Sequence, residues 1–213
     1  HIGDLVRMAQ EIGWEVCVIA TPDGRKWLDV PALTRQTGHP VRSHYKNPGD
    51  VDVIPYPDAI VVAPATVNTV NKWANGIADT LALGTLIEGY GLGLPIVAVP
   101  YTNTAMAAHP VFRESLHRLR TWGVRVLFGE HVVALPAPGS GTRAADRFPW
   151  ELVVAAVGPP RHAARARAAR KQGHPNPARL TRTGRGPRLP RDGFGRPAPP
   201  AIPRPAPAIP RVG

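Results

Sequence analysis

Two short stretches of this sequence carry side chains able to hold a small polar or charged ligand. The first is Pro64–Thr69, PATVNT, which offers two hydroxyls and an amide just after an apolar run and just before a helical one. A strand-to-helix turn of this kind points hydroxyls, an amide and free backbone N–H groups outward, where an anion or a heteroaromatic ring can bind. Capping of the following helix by Thr66 or Asn68 is the other use of the same groups. The second stretch is Pro100–Pro110, PYTNTAMAAHP, with a phenol, two hydroxyls, an amide, a thioether and an imidazole past another apolar run. Such polarity beside an apolar strand suits a small polar ligand. Its His109 stands directly before Pro110, a position that favours capping a helix or facing solvent over catalysis. A third segment, Asn75–Asp79, lies in a helical stretch. Its Gly76 weakens a helix and is tolerated where helices pack closely or where a backbone or ligand approaches.

Other chemistries lose their support. No GxSxG elbow, phosphate-binding P-loop or GxGxxG fingerprint is present. The histidines of the first 158 residues show no metal-ligand spacing, and the single Cys17 forms neither an internal disulfide nor a CxxC zinc site, so no metal is expected. A lone cysteine points to a reduced cytoplasm. No apolar window is long enough to span a bilayer, so no membrane role is expected. The formal charge of +11 is unevenly spread: residues 1–158 hold 13 Lys+Arg and 14 Asp+Glu, and residues 159–213 hold 13 and 1. The first part is thus not a basic nucleic-acid-binding fold. Arg, Pro, Ala and Gly make up 41 of the last 55 positions, a composition that cannot bury enough apolar surface to order the chain. This tail is expected to be disordered. It reads as a solvated extension or as an electrostatic arm for nucleic acid or acidic lipid, and an out-of-frame read of GC-rich DNA has the same composition.

The elements that must position the two loops follow from apolar periodicity. Ile2, Leu5, Val6, Ala9 and Ile12 share one face of a helix that Gly13 ends. Glu15–Ala20 reads as a buried β-branched strand with Cys17 an inert core residue in its middle. A helix over 26–36 and a short strand near Val41 follow, then a Pro-rich loop over 46–57. Asp58–Pro64 is the second strand, residues 67–90 form one long helical stretch, and Leu94–Pro100 is the third strand. Pro110 opens a helix ended by Gly123, residues 124–128 form the fourth strand and 150–157 close with a helix. Apolar strands alternating with helices predict an α/β fold, a doubly wound parallel sheet covered on both faces, with ligands beyond the strands' carboxyl ends. The chain starts inside a helix, so the first strand and its phosphate-cradling turn are expected to be missing. The expected domains are 1–158 and the tail 159–213.

Read together, residues 63–81, APATVNTVNKWANGIADTL, and residues 100–110 resemble the homo-oligomeric flavin-containing cysteine decarboxylase family. Phosphopantothenoylcysteine decarboxylase is its best-known member. The family pattern PASANTxAKxANGIADxL is matched at most positions in order, and the similarity extends over about residues 1–135. It implies a Rossmann-like, flavodoxin-like fold that binds FMN in trimers or multiples of them. Carried over by position, Thr21 helps to hold the FMN phosphate or ribityl chain, and Ala65, Thr66, Asn68 and Thr69 line the flavin. Asn103 and Met106 match two members of the family's substrate motif PxMNxxMW, with Asn103 as the substrate contact and Met106 counted with the cofactor contacts.

Departures from the pattern are as informative. Thr102 and Ala107 replace the motif's Met and Trp. The position of the decarboxylases' catalytic His falls on Asp50, with His44 six residues away, and the family's flap Cys has no match near Gly139–Thr142. A peptidyl-cysteine decarboxylase needs a base near the thiol and a means of stabilising an enethiolate. The expectation is therefore an FMN flavoprotein acting on a small unidentified substrate by flavin-mediated electron transfer. It is expected not to be a true phosphopantothenoylcysteine decarboxylase. A non-catalytic interaction protein that keeps the fold is the alternative, and a nucleoside-phosphate binder a weaker third. The chain as it stands is expected to retain FMN weakly or not at all, for want of the first strand and turn.

Overall fold

The computed structural model describes residues 2–140 and 148–160, so the expectations for the tail beyond 160 and for Gly141 and Thr142 lie outside the described residues. Three parallel strands form the sheet in the order β1-β2-β3: β1 is Ile60–Ala65, β2 is Ile96–Pro100 and β3 is Arg125–Val126. Side-chain alternation explains why both faces are covered. Ile60 and Val62 of β1, Ile96 and Ala98 of β2, and Val126 with Phe128 after it point to one face. Val61, Ala63, Val99 and Leu127 point to the other. Each run is apolar on both faces, as a parallel sheet requires. β2 is the central strand and all five of its residues are buried.

On the first face lie α4 (Val67–Ala74), α5 (Leu81–Gly91) and α7 (Pro110–Thr121), which contribute Val70, Trp73, Leu83, Leu86, Phe112, Leu116 and Leu119 to one core. On the second lie α1 (Ile2–Glu11) and α8 (Trp150–Val157), packed through Leu5, Phe148 and Val153. Short helices α2 (Pro22–Arg25) and α6 (Thr104–Ala107) follow Thr21 and Asn103. α3 (Val30–Thr37) packs Leu33 against Val6 of α1, together with Ala20 and Val41.

Three expectations need correction. The helix expected over 26–36 begins only at Val30, as α3, and residues 26–29 lie between it and α2, because Asp29 caps a fresh start by accepting from Ala32 N at 2.9 Å, with Pro31 in the first turn. The stretch 67–90 is two helices. α4 ends at Ala74 with Asn75 as its cap, Gly76 takes φ +71°, and Ile77 N and Gly76 N return to the carbonyls of Lys72 (2.9 Å) and Trp73 (2.9 Å). This double return is a Schellman stop, which needs a left-handed residue and so a glycine. No atom of the described residues lies within 4 Å of where a Gly76 Cβ would stand, so packing of this chain's own helices or backbone does not account for the residue.

The third correction concerns Glu15–Ala20, which forms no ladder. Its only pairing among the described residues is the bridge of Ile19 with Arg42, made by Ala20 N to Arg42 O (2.8 Å) and Arg42 N to Val18 O (3.2 Å). Pro40 has no N–H with which to lengthen the pairing, and no described strand lies along the other edge. Cys17 is accordingly half-buried rather than a core residue. Its thiol is pushed above the ordinary value, mainly by burial and further by the Glu15 carboxylate. Alkylation of Cys17 is therefore expected to lag that of free cysteine at pH 8 and to accelerate only at higher pH, since the thiolate is the nucleophile. Stopped-flow thiol modification checks this, and a rate matching the free amino acid would contradict it.

Candidate functional site

The two chemically promising loops leave adjacent strand ends. Ala65 pairs with Pro100, and Tyr101 N donates to Ala65 O at 2.9 Å, so the turns at Thr66 and Asn103 rise side by side from the carboxyl edge of the sheet. Each turn enters a helix through its own polar side chain. Thr66 Oγ1 accepts from Thr69 N at 3.4 Å and lies 3.2 Å from Thr69 Oγ1. Asn103 Oδ1 accepts from Met106 N at 2.9 Å. Thr21 Oγ1 does the same for Gly24 N at 3.0 Å, at the head of α2. All three are N-caps in extended backbone geometry, which satisfies one orphan N–H apiece and leaves the remaining first-turn donors facing outward.

The residues singled out from the sequence thus fall into distinct positions. Ala65 and Thr69 are buried, Thr66 and Asn68 are exposed, and Asn103 is half-buried. Met106 is 55% exposed, and Thr102 Oγ1 donates to its sulfur at 3.4 Å. His109 caps α7: its Nδ1 accepts from Val111 N at 3.2 Å, which commits that nitrogen to structure. Thr104 N donates to Pro136 O at 2.9 Å and ties the second loop to the chain that follows β3.

Three further features stand out here, of which only the Tyr101 phenol is among the groups picked out from the sequence. Tyr101 Oη is buried with no hydrogen-bond partner, its ring edge-on to Phe148 with centroids 5.8 Å apart, and burial raises its pKa. A buried phenol usually finds a partner, so this oxygen offers a polar contact to an incoming group. Arg118, on α7, donates from Nη1 to Ala74 O and to Asn75 Oδ1, both at 2.9 Å, and so holds the C-terminal end of α4. Tyr45 Oη donates to Ala78 O at 3.0 Å, which joins the loop after Val41 to the Asn75–Asp79 segment.

That loop borders an open groove of about 690 Å³, in which His44 and Asp50 both stand. By the family resemblance Asp50 stands at the catalytic His position, and His44, six residues away, serves there only if the loop is rearranged. His44 Nδ1 lies 3.0 Å from Ser43 Oγ, and Asp50 Oδ2 accepts from Asn47 N at 2.8 Å. Among the described residues no group of three or more His, Cys, Asp or Glu is placed to hold a metal, and no helix is long and apolar enough to cross a membrane.

Comparison with known proteins adds three findings. The family model described as Flavoprotein matches residues 1–157. The chain is 32% identical over 123 residues to phosphopantothenoylcysteine decarboxylase of Mus musculus, covering 46% of this chain and 60% of that protein. It is 28% identical over 134 residues to the Coenzyme A biosynthesis bifunctional protein CoaBC of Thermococcus kodakarensis, covering 58% of this chain and 32% of that protein. The chain therefore spans about a third and three-fifths of the length of these two relatives. In fold it is similar to the solved FMN binding protein AtHal3, with a TM-score of 0.50 and 24% identity over 66% of this chain and 80% of that one.

Proposed function

Because the chain belongs to the Flavoprotein family, we propose that its two adjacent strand-end loops hold FMN and present it to a small substrate. The observation that carries this reading is the pairing of Ala65 with Pro100, which brings Thr66 and Asn103 to neighbouring positions on one sheet edge. The donor set suits the group. Thr66 and Asn68 are exposed at the head of α4, first-turn N–H groups face outward, and the unpartnered Tyr101 hydroxyl lies beside the same strand end. In this reading Thr66, Asn68, Thr69 and the Ala65 backbone lie against the flavin, Met106 adds a soft apolar contact, and Thr21 faces the phosphate or ribityl end. Asn103 spends its oxygen on its cap and keeps its amide N–H groups for the substrate.

Bound FMN would supply the electron transfer, and the protein orients it and limits what reaches it. The position that is His in the decarboxylases is Asp50 here, a residue already committed to Asn47 N. This supports a reaction other than decarboxylation of phosphopantothenoylcysteine. It also favours the second reading, a flavoprotein fold kept for interaction alone. The similarity to decarboxylases supports an enzyme, and the family resemblance supports a homo-oligomer formed by the domain of residues 1–158.

Titrating FMN into the protein is the test. Saturable quenching of flavin fluorescence and a rise in Tm are expected, and neither at millimolar FMN would overturn the reading. Thr66→Ala is expected to weaken FMN about tenfold, the worth of one hydrogen bond of roughly 1–1.5 kcal/mol, and to cost about 1 kcal/mol of stability through the lost cap. Asn103→Ala is expected to leave FMN affinity unchanged while impairing reduction of the flavin by substrate. Flavin that binds but is reduced by no candidate thiol or metabolite would favour the interaction reading.

A further inference from the structure

The groove beside the Tyr45 loop has a charge pattern that the flavin reading does not use. Arg25, at the end of α2, donates from Nη1 to Val41 O at 2.8 Å, and Arg42 donates from Nη2 to His44 O at 3.1 Å. Both arginines line the groove and both are half-buried. Neither has a carboxylate partner among the described residues, although five ion pairs form among them, one of them at Lys46, which also lines the groove. The acids nearby are engaged: Asp50 accepts from Asn47 N, and Asp52 pairs with Lys46 at 2.7 Å.

Arg25, Arg42 and Lys46 set three cations along the groove against the single Asp50 carboxylate, which pairs with neither arginine, and this excess of positive charge is unfavourable in the free protein and is relieved when an anion arrives. One bond to a backbone carbonyl fixes each guanidinium and leaves most of its five donors unused. That is the fork geometry that binds carboxylate and phosphate oxygens in pairs, with little further side-chain entropy to lose. The buried Ser43, 7% exposed, engages His44 Nδ1 and leaves Nε2 on the same groove as a further polar contact. Val51 and Val53 supply an apolar wall, and Val51 is 81% exposed.

We infer that this groove is an oxyanion-binding site, in which Arg25 and Arg42 together grip the phosphate or carboxylate group of a small molecule whose apolar part rests on Val51 and Val53. The site needs no flavin. Its failure and the failure of the flavin reading are therefore separable.

The probes are inorganic phosphate and acetate, titrated separately into the full chain at constant ionic strength, with binding read by calorimetry and by the shift in Tm. Saturable binding is expected for at least one. Stronger binding of phosphate assigns the site to phosphate esters, and stronger binding of acetate assigns it to carboxylates. Arg25→Gln and Arg42→Gln are each expected to weaken binding at least fivefold. Lys26→Gln removes an exposed cation already paired with Asp23 outside the groove and is expected to change nothing. Arg25→Lys, which keeps charge and loses the fork, is expected to fall between. FMN titrations of the same variants are expected to match the wild type. No saturable binding of either anion by the wild-type chain overturns the inference, as does equal loss in Lys26→Gln or no loss in both arginine variants.

Discussion

Replacing Trp73 by alanine is expected to cost about 3–5 kcal/mol, the range for truncating a large aromatic side chain in a close-packed core. Trp73 is 1% exposed and belongs to the same core as Phe112, Leu116 and Leu119 of α7. It is the largest fully buried side chain of α4, the helix that Thr66 caps. The loss is a large share of the 5–15 kcal/mol or so that typically separates a folded domain from its unfolded chain. Urea denaturation reads it directly: the midpoint should fall sharply, with little change in slope if the unfolded state is unaffected. A loss under about 1 kcal/mol would mean that the helix repacks freely, and the position of Thr66 would then not be set by this core. Because the effect passes from the core to the crest, the variant should also bind FMN more weakly than its residual folded fraction accounts for.

Arg118→Met is expected to cost about 2 kcal/mol, within the range for hydrogen bonds made by a charged donor. The long apolar stem is kept, so the change isolates the two bonds to Ala74 O and Asn75 Oδ1. The first satisfies the Ala74 carbonyl, which the end of α4 leaves without a helical partner, the second fixes the Asn75 side chain, and together they hold the turn leading to Ala78, where Tyr45 docks. Arg118→Lys should recover part of the loss, because an ammonium can reach one acceptor and not both in the same geometry. Thermal melts of the three proteins check the order. Equal stability of wild type and Arg118→Met would show that the turn at Gly76 holds by its backbone stop alone.

Elements set by local rules were legible. The face shared by Ile2, Leu5 and Val6 is α1, Pro110 and Gly123 bracket α7, and the β-branched runs before Pro64 and Pro100 are β1 and β2. The capping choice between Thr66 and Asn68 resolves to Thr66 because its oxygen meets Thr69 N. Where local preference is weak, the reading missed. A glycine inside a helix costs only about 1 kcal/mol, so Gly76 alone did not mark a boundary, although the Asn75-Gly76 pair is a turn signal. Glu15–Ala20 has the composition of a strand, but composition cannot supply the neighbour that a ladder needs.

By itself, then, the order of residues determined the alternation of apolar runs and helical faces, the turn chemistry at each strand end, and the two loops worth searching, because each depends on neighbours a few positions away. Only the folded chain decided which of these groups meet. Parallel pairing of Ala65 with Pro100 set Thr66 beside Asn103. The path of the chain after Val41 put Arg25, Arg42, His44 and Asp50 around one groove. Arg118 reached across 44 positions to Ala74. Contacts between residues so far apart depend on how the layers close over the buried β2, and no local preference encodes that closure.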